Sequence, residues 1–163
     1  MEKDYTRLTL LANKAEPEWK RYFARNKKKL QKMDVEVHQL HEESSEAMDC
    51  LACANCCRTL GPRIEAKDIE RMAKALRIKE NEVYERYLHQ DEDGDWVFRS
   101  MPCPFLGSDN YCAIYESRPK ACREYPHTDR KRFYQIYNLS IKNAYTCPIV
   151  FEVLEQLRLS EKK

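Results

Sequence analysis

The chain has 163 residues, and its 29 basic and 27 acidic side chains leave a formal net charge of only +2. That balance excludes the basic footprint of a nucleic-acid binder or a polybasic membrane anchor, and three glycines and seven prolines exclude a collagenous or low-complexity chain. No apolar run approaches the roughly 20 residues that a bilayer demands, and Met1 to Arg7 lacks the apolar stretch of a secretory leader, so a cytoplasmic protein without nucleic-acid or membrane partners is expected.

Residues 1–47 read as a cysteine-free helical arm. Pro17 and Glu18 suit a first helical turn, where proline is tolerated and an acid faces the positive end. Apolar side chains then recur at heptad spacing. Phe23, Leu30 and Val37 fall at one seam position and Trp19, Met33 and Leu40 at the other, with Asn26 the one polar member. So narrow a seam predicts a long helix packed on the body of its own chain. The alternative is a homodimer or another protein partner, with Asn26 setting the register.

Residues 48–163 hold all eight cysteines. Helices are expected over 65–76, with Ile69, Met72, Ala73 and Leu76 on one face, and over 79–88, with Val83, Tyr84, Tyr87 and Leu88 inward. Asp93-Gly94 ahead of Trp96-Val97-Phe98 signals a hairpin turn. The stretch 99–132 has no clean period and reads as loops that present ligands. A last helix is expected over Pro148 to Leu159, with proline at its first position and Cys147 at its N-cap, where the helix dipole favours a thiolate. The fold class is therefore mainly α with little β: a small, irregular, metal-stapled, cysteine-rich domain over 48–163 behind a long N-terminal helix.

The cysteines carry the chemistry. In a reducing compartment, patterned thiols bind metal or do redox work more often than they form structural disulfides. Cys50, Cys53 and Cys56 follow a Cys-x2-Cys-x2-Cys spacing that lets successive sulfurs curl around one centre. In iron–sulfur runs of this kind the fourth ligand is a distant Cys-Pro, and this chain has two, Cys103-Pro104 and Cys147-Pro148. Zinc sites also use Cys-x2-Cys, usually as two such pairs, and a second pair is missing here. Cys57 adjoins Cys56, and neighbouring side chains seldom reach the same ion, so Cys57 is expected to face a second centre or to be a buried or redox thiol. Cys112 and Cys122 complete the eight. Arg118 and Arg123 lie among these thiols and are candidates to offset the negative charge of a thiolate centre and to donate hydrogen bonds to sulfur. His38 and His41 read as a solvated pair, because no acid or thiol shares their spacing, and His127 is a weaker candidate ligand.

The run Cys-x2-Cys-x2-Cys-Cys, then Cys-Pro-Phe-Leu, then Cys-x-Ile-Tyr-Glu-x-Arg-Pro-x2-Cys-Arg-x-Tyr-Pro resembles the YkgJ-like cysteine-cluster (CxxCxxCC) family of zinc- or iron-chelating proteins. The resemblance covers roughly residues 50–148 and leaves the arm outside. It implies a metal-binding domain whose ligands are Cys50, Cys53, Cys56, Cys57, Cys103, Cys112, Cys122 and Cys147. Ala54-Asn55 stands where members often have a glycine, and Cys147-Pro148 lacks the glycine that often follows. Members are described both as zinc proteins and as iron–sulfur oxidoreductases, and a related branch includes flagellin lysine methylases. The expected function is thus a metal-binding protein with a cysteine-ligated iron–sulfur cluster, of the 4Fe-4S type, and/or zinc, in a redox or accessory role. The alternatives are a zinc-stapled adaptor that docks partners through the arm and an enzyme, either an iron–sulfur oxidoreductase or one related to protein-lysine methylation.

Overall fold

The structure, a computed structural model, describes residues 7–161. Residues 1–6, most of the segment read above for a leader, lie outside it. Two compact units divide the chain: residues 1–49 with 126–163, and Cys50–Tyr125. The unit that holds residues 1–49 also holds the C-terminal helix. Among the described residues, no helix is long and apolar enough to cross a membrane.

The first unit is a packing of regular helices. Helix α1 (Leu8–Arg25) begins upstream of the expected start, so Pro17 sits inside it. Apolar spacing continues upstream, with Leu8 and Ala12 buried alongside Trp19, Tyr22 and Phe23. That burial outweighs the one N–H that proline removes. The heptad seam is not one helix either. Asn26 ends α1 by donating from its side-chain amide to the Tyr22 carbonyl at 3.0 Å and to the Glu161 carboxylate. A 3₁₀ turn at Leu30–Lys32 then leads into α2 (Asp34–Glu46).

The apolar seam is covered by the far end of the same chain. Helix α9 (Pro148–Ser160) starts as expected with Pro148 in its first turn and Cys147 at the N-cap. It packs on α1, on α2 and on α8 (Tyr137–Asn143). Its Ile149, Val150, Val153, Leu154 and Leu157 are all buried, each contributing about 1.5–3 kcal/mol. Trp19 meets Phe151 edge-on at 5.5 Å and donates its indole N–H to Glu155 at 2.8 Å. The stripe that could have met a second chain is thus filled by α9. Asp34 accepts the backbone N–H groups of Arg132 and Phe133, His38 bonds the Arg130 carbonyl at 3.1 Å, and His41 bonds the Thr128 hydroxyl at 2.7 Å. Both histidines therefore fasten α2 to the 126–135 segment.

The second unit is smaller in its elements. Two one-turn helices, α3 (Cys50–Cys53) and α4 (Asn55–Thr59), open it. Helix α5 (Ala66–Leu76) begins with a reciprocal capping box between Glu65 and Asp68. Helix α6 (Glu80–Tyr87) follows and runs into a hairpin of β1 (Leu88–Gln90) and β2 (Trp96–Phe98), in the register Leu88↔Phe98. The turn between them uses Gly94 at φ 80°, a conformation that costs glycine little. Ile64, Ile69, Met72, Val83, Leu88, Phe98, Phe105 and Ile114 form its core, and Cys103 and Cys112 pack against that core.

Candidate metal centre

The Cys-x2-Cys-x2-Cys-Cys run folds as two helical turns with a break between them. Ala54 takes a left-handed backbone at φ 48°, so the chain turns sharply after α3. Cys50 and Cys53, three residues apart, share a face of α3. Cys56 and Cys57 follow on α4, with their sulfurs 4.0 Å apart. The break turns one continuous spacing into two pairs of thiols.

Three constraints position the later cysteines, and the first ties Cys103 to Cys57. The Cys103 N–H donates to the Cys57 carbonyl at 2.8 Å. A tight turn at 107–110 then folds the chain back, giving an antiparallel bridge between Leu106 and Cys112 and a bond from the Ala113 N–H to the Phe105 carbonyl at 2.8 Å. A Cβ at Gly107 would stand 2.6 Å from the Asp109 carboxylate and 3.2 Å from the Tyr111 carbonyl, so a larger residue would push the Asp109 side chain off the Tyr111 N–H that it accepts. Cys122 rides on α7 (Lys120–Glu124). Asp68, only 1% exposed, accepts the Lys120 N–H at 2.9 Å, the Glu65 N–H at 2.9 Å and the Arg71 guanidinium at 2.5 Å. One buried carboxylate on α5 thereby fixes the start of the helix that carries Cys122.

The electrostatics follow this geometry. Burial pushes the Cys122 thiol up to about 12, with the charges of Cys103, Cys57 and Cys112 adding to the rise. Burial likewise raises Cys103 to about 11, helped by Cys57 and Cys112, and raises Cys112, helped by Cys57. Every pair among Cys57, Cys103, Cys112 and Cys122 is thus within Coulomb reach. Cys57 is the exception in sign. The bond with the Cys56 thiol holds it at about 6 against burial, and Arg118 and Arg58 favour its thiolate further. Two thiols packed against an apolar core, Cys103 and Cys112, with Cys57 and Cys122 in electrostatic reach and guanidinium charge beside them, suit a soft, positively charged zinc or iron centre. Among the described residues, no three His, Cys, Asp or Glu side chains are drawn closely enough to hold an ion.

The structure distributes the expected site residues unevenly. All eight cysteines are free of disulfides. Cys50, Cys53, Cys56, Cys57, Cys103, Cys112 and Cys122 belong to the second unit, and Cys147, buried at the start of α9, belongs to the first. Arg118 lies over the Tyr115 ring at 3.5 Å, donates to the Tyr115 carbonyl, and acts electrostatically on Cys57, Cys112 and Cys122. Arg123 instead braces the loop by donating to the Arg118 carbonyl at 2.5 Å. Sequence reasoning missed Arg58, Asn110 and Asp68, which make the long-range bonds of the site. Arg58 directly follows the cysteine run, but nothing in the local sequence links Asn110 or Asp68 to the thiols.

A mainly helical chain with seven thiols gathered in one small unit is of the metal-chelating class. Residues 49–148 match the family model CxxCxxCC, described as "Putative zinc- or iron-chelating domain". The match spans more than half of the chain, which therefore belongs to the CxxCxxCC family. Searches of curated proteins and of solved structures returned no match.

Proposed function

We propose that the chain chelates zinc or iron through two groups of thiols. Cys57, Cys103, Cys112 and Cys122 would form one four-thiolate centre, with Arg118 offsetting its negative charge. Cys50, Cys53 and Cys56 would supply a second, sharing the run but not the ligands of the first. The observation that supports this reading is the backbone hydrogen bond from Cys103 to Cys57, residues remote in sequence, together with the bridge of Cys112 to Leu106, Cys103 and Cys112 both packing against the core. The Cys-x2-Cys-x2-Cys spacing favours an iron–sulfur cluster for the second group. A resident centre would neutralise the thiolates and lock the short elements together, because ligation and folding are coupled.

Anaerobic purification followed by metal analysis tests this. Broad visible absorbance with iron and sulfide indicates a cluster, and colourless protein with zinc indicates zinc alone. Cys122→Ser should remove one centre and spare the other, and Cys53→Ser should do the converse. Complete and equal loss in both variants, with circular dichroism unchanged, would refute two independent centres. A chain that takes up neither metal would refute chelation.

A further inference from the structure

Helix α3 is a single turn, so its carbonyls lack the partners that a longer helix would give them. The Cys50 carbonyl is met by the Ala54 N–H at 2.8 Å. Two more are met by side chains from elsewhere. Asn110 donates its amide to the Leu51 carbonyl at 2.5 Å, and Arg58 donates to the Cys53 carbonyl at 2.8 Å. The two side chains are themselves joined, because Arg58 donates to the Asn110 side-chain oxygen at 2.5 Å. Asn110 therefore uses both ends of its amide, one on the turn that bears Cys50 and Cys53 and one on the guanidinium that follows Cys57.

We propose that Asn110, acting with Arg58, is a positioning residue that sets Cys50 and Cys53 in register with the Cys57, Cys103, Cys112 and Cys122 group. Asn110 sits at φ 62° at the tip of the 107–110 turn, between Cys103 and Cys112. Asparagine tolerates this left-handed conformation better than most residues, and its short amide reaches back from there. The turn that pairs Cys112 with Leu106 is thus the same turn that caps α3. Neither residue need touch a metal. Together they tie the first two thiols of the run to the segment that carries the later ones. This rests on the chelation reading for its metal readout, but the clamp can also be tested without metal.

Asn110→Gly keeps the left-handed backbone and removes the clamp, so the turn itself should survive. Asn110→Asp keeps the acceptor for Arg58 and loses the donor to Leu51. In the full chain freed of metal, amide hydrogen exchange over residues 50–59 should rise about tenfold in Asn110→Gly, since two hydrogen bonds are lost, with exchange over α5 and the hairpin unchanged. Titration with Zn²⁺ against a chromophoric chelator should show affinity about 10–100-fold weaker, the usual loss when a residue outside the ligand shell is removed. Asn110→Asp should fall between wild type and Asn110→Gly in both measurements. Arg58→Ala added to Asn110→Gly should cost less than the sum of the two single changes, because they share one network. Unchanged exchange and unchanged Zn²⁺ affinity in Asn110→Gly would overturn the proposal. Raised exchange in Asn110→Gly with uptake of neither Zn²⁺ nor iron by the wild type would uphold the clamp and refute chelation instead. Raised exchange with wild-type Zn²⁺ affinity would reduce the clamp to a brace and overturn the positioning role.

Discussion

The two units reach order by different means. In the helical unit, α1, α2 and α9 are long enough to present continuous apolar faces, and large side chains such as Trp19, Phe23, Leu154 and Leu157 vanish into their common core. Loss of any one hydrogen bond there is a small fraction of the whole. In the thiol unit the elements around the cysteines are one turn long, and their positions depend on single polar contacts: Asp68 on the Lys120 N–H, Asn110 on the Leu51 carbonyl, and the Cys103 N–H on the Cys57 carbonyl. Burial raises the thiols of Cys103, Cys112 and Cys122, so their thiolates are costly until a cation arrives. A region built in this way has more to gain from a metal than one held by continuous apolar faces.

Metal removal should therefore separate the units most widely. The chain has two tryptophans. Trp19 is buried in the first unit, and Trp96 packs edge-on against Tyr84 at 4.7 Å in the second. Single-tryptophan chains, Trp96→Phe and Trp19→Phe, should be unfolded in denaturant with and without a chelator. The transition seen by Trp96 should lose about 4 kcal/mol, the value for a ligand present at a thousand times its Kd. The transition seen by Trp19 should move by less than about 1 kcal/mol, the scale of a single hydrogen bond. Equal losses at both tryptophans would erase the distinction between the units.

Asp68→Ala should have the next largest effect. It leaves the N–H groups of Lys120 and Glu65 and the Arg71 guanidinium without their shared acceptor, which costs about 2–3 kcal/mol. The loss should appear at Trp96 in equilibrium unfolding and be accompanied by weaker metal retention, because α7 carries Cys122. Asp68→Asn keeps an acceptor oxygen and should recover part of both. A variant as stable as wild type at both tryptophans would show that α7 is held by something else.

The smallest expected effect has the opposite sign. Ala54 adopts φ 48° between α3 and α4, where a Cβ is strained and glycine is not. Ala54→Gly should stabilise the thiol unit by up to about 1 kcal/mol, less the entropy that glycine loses on folding. A small rise in the Trp96-reported midpoint, with metal content unchanged, would sharpen the view that this turn stores strain within the cysteine run.

Much of this was open to inspection in the sequence, because short-range patterns have short-range causes. The apolar spacing of 65–76 and 79–88 marked α5 and α6, Asp93-Gly94 marked the hairpin, and Pro148 marked the start of α9. The cysteine spacing, with its later Cys-Pro and Arg-Pro segments, was enough to indicate the chelating family. The period that marked the arm was real, but it did not reveal that Asn26 cuts the helix or that Leu8 and Ala12 extend it upstream, since both follow from packing and capping partners remote in sequence. Nor did it show that α9 would fill the seam, because an apolar stripe specifies a complementary surface and not which segment supplies it. Only the tertiary structure placed Cys147 on the helical unit, joined the Cys103 backbone to that of Cys57, and gave Asn110 and Asp68 their long-range partners. Those assignments rest on hydrogen bonds between residues roughly 50 positions apart, and no local pattern encodes a partner at that distance.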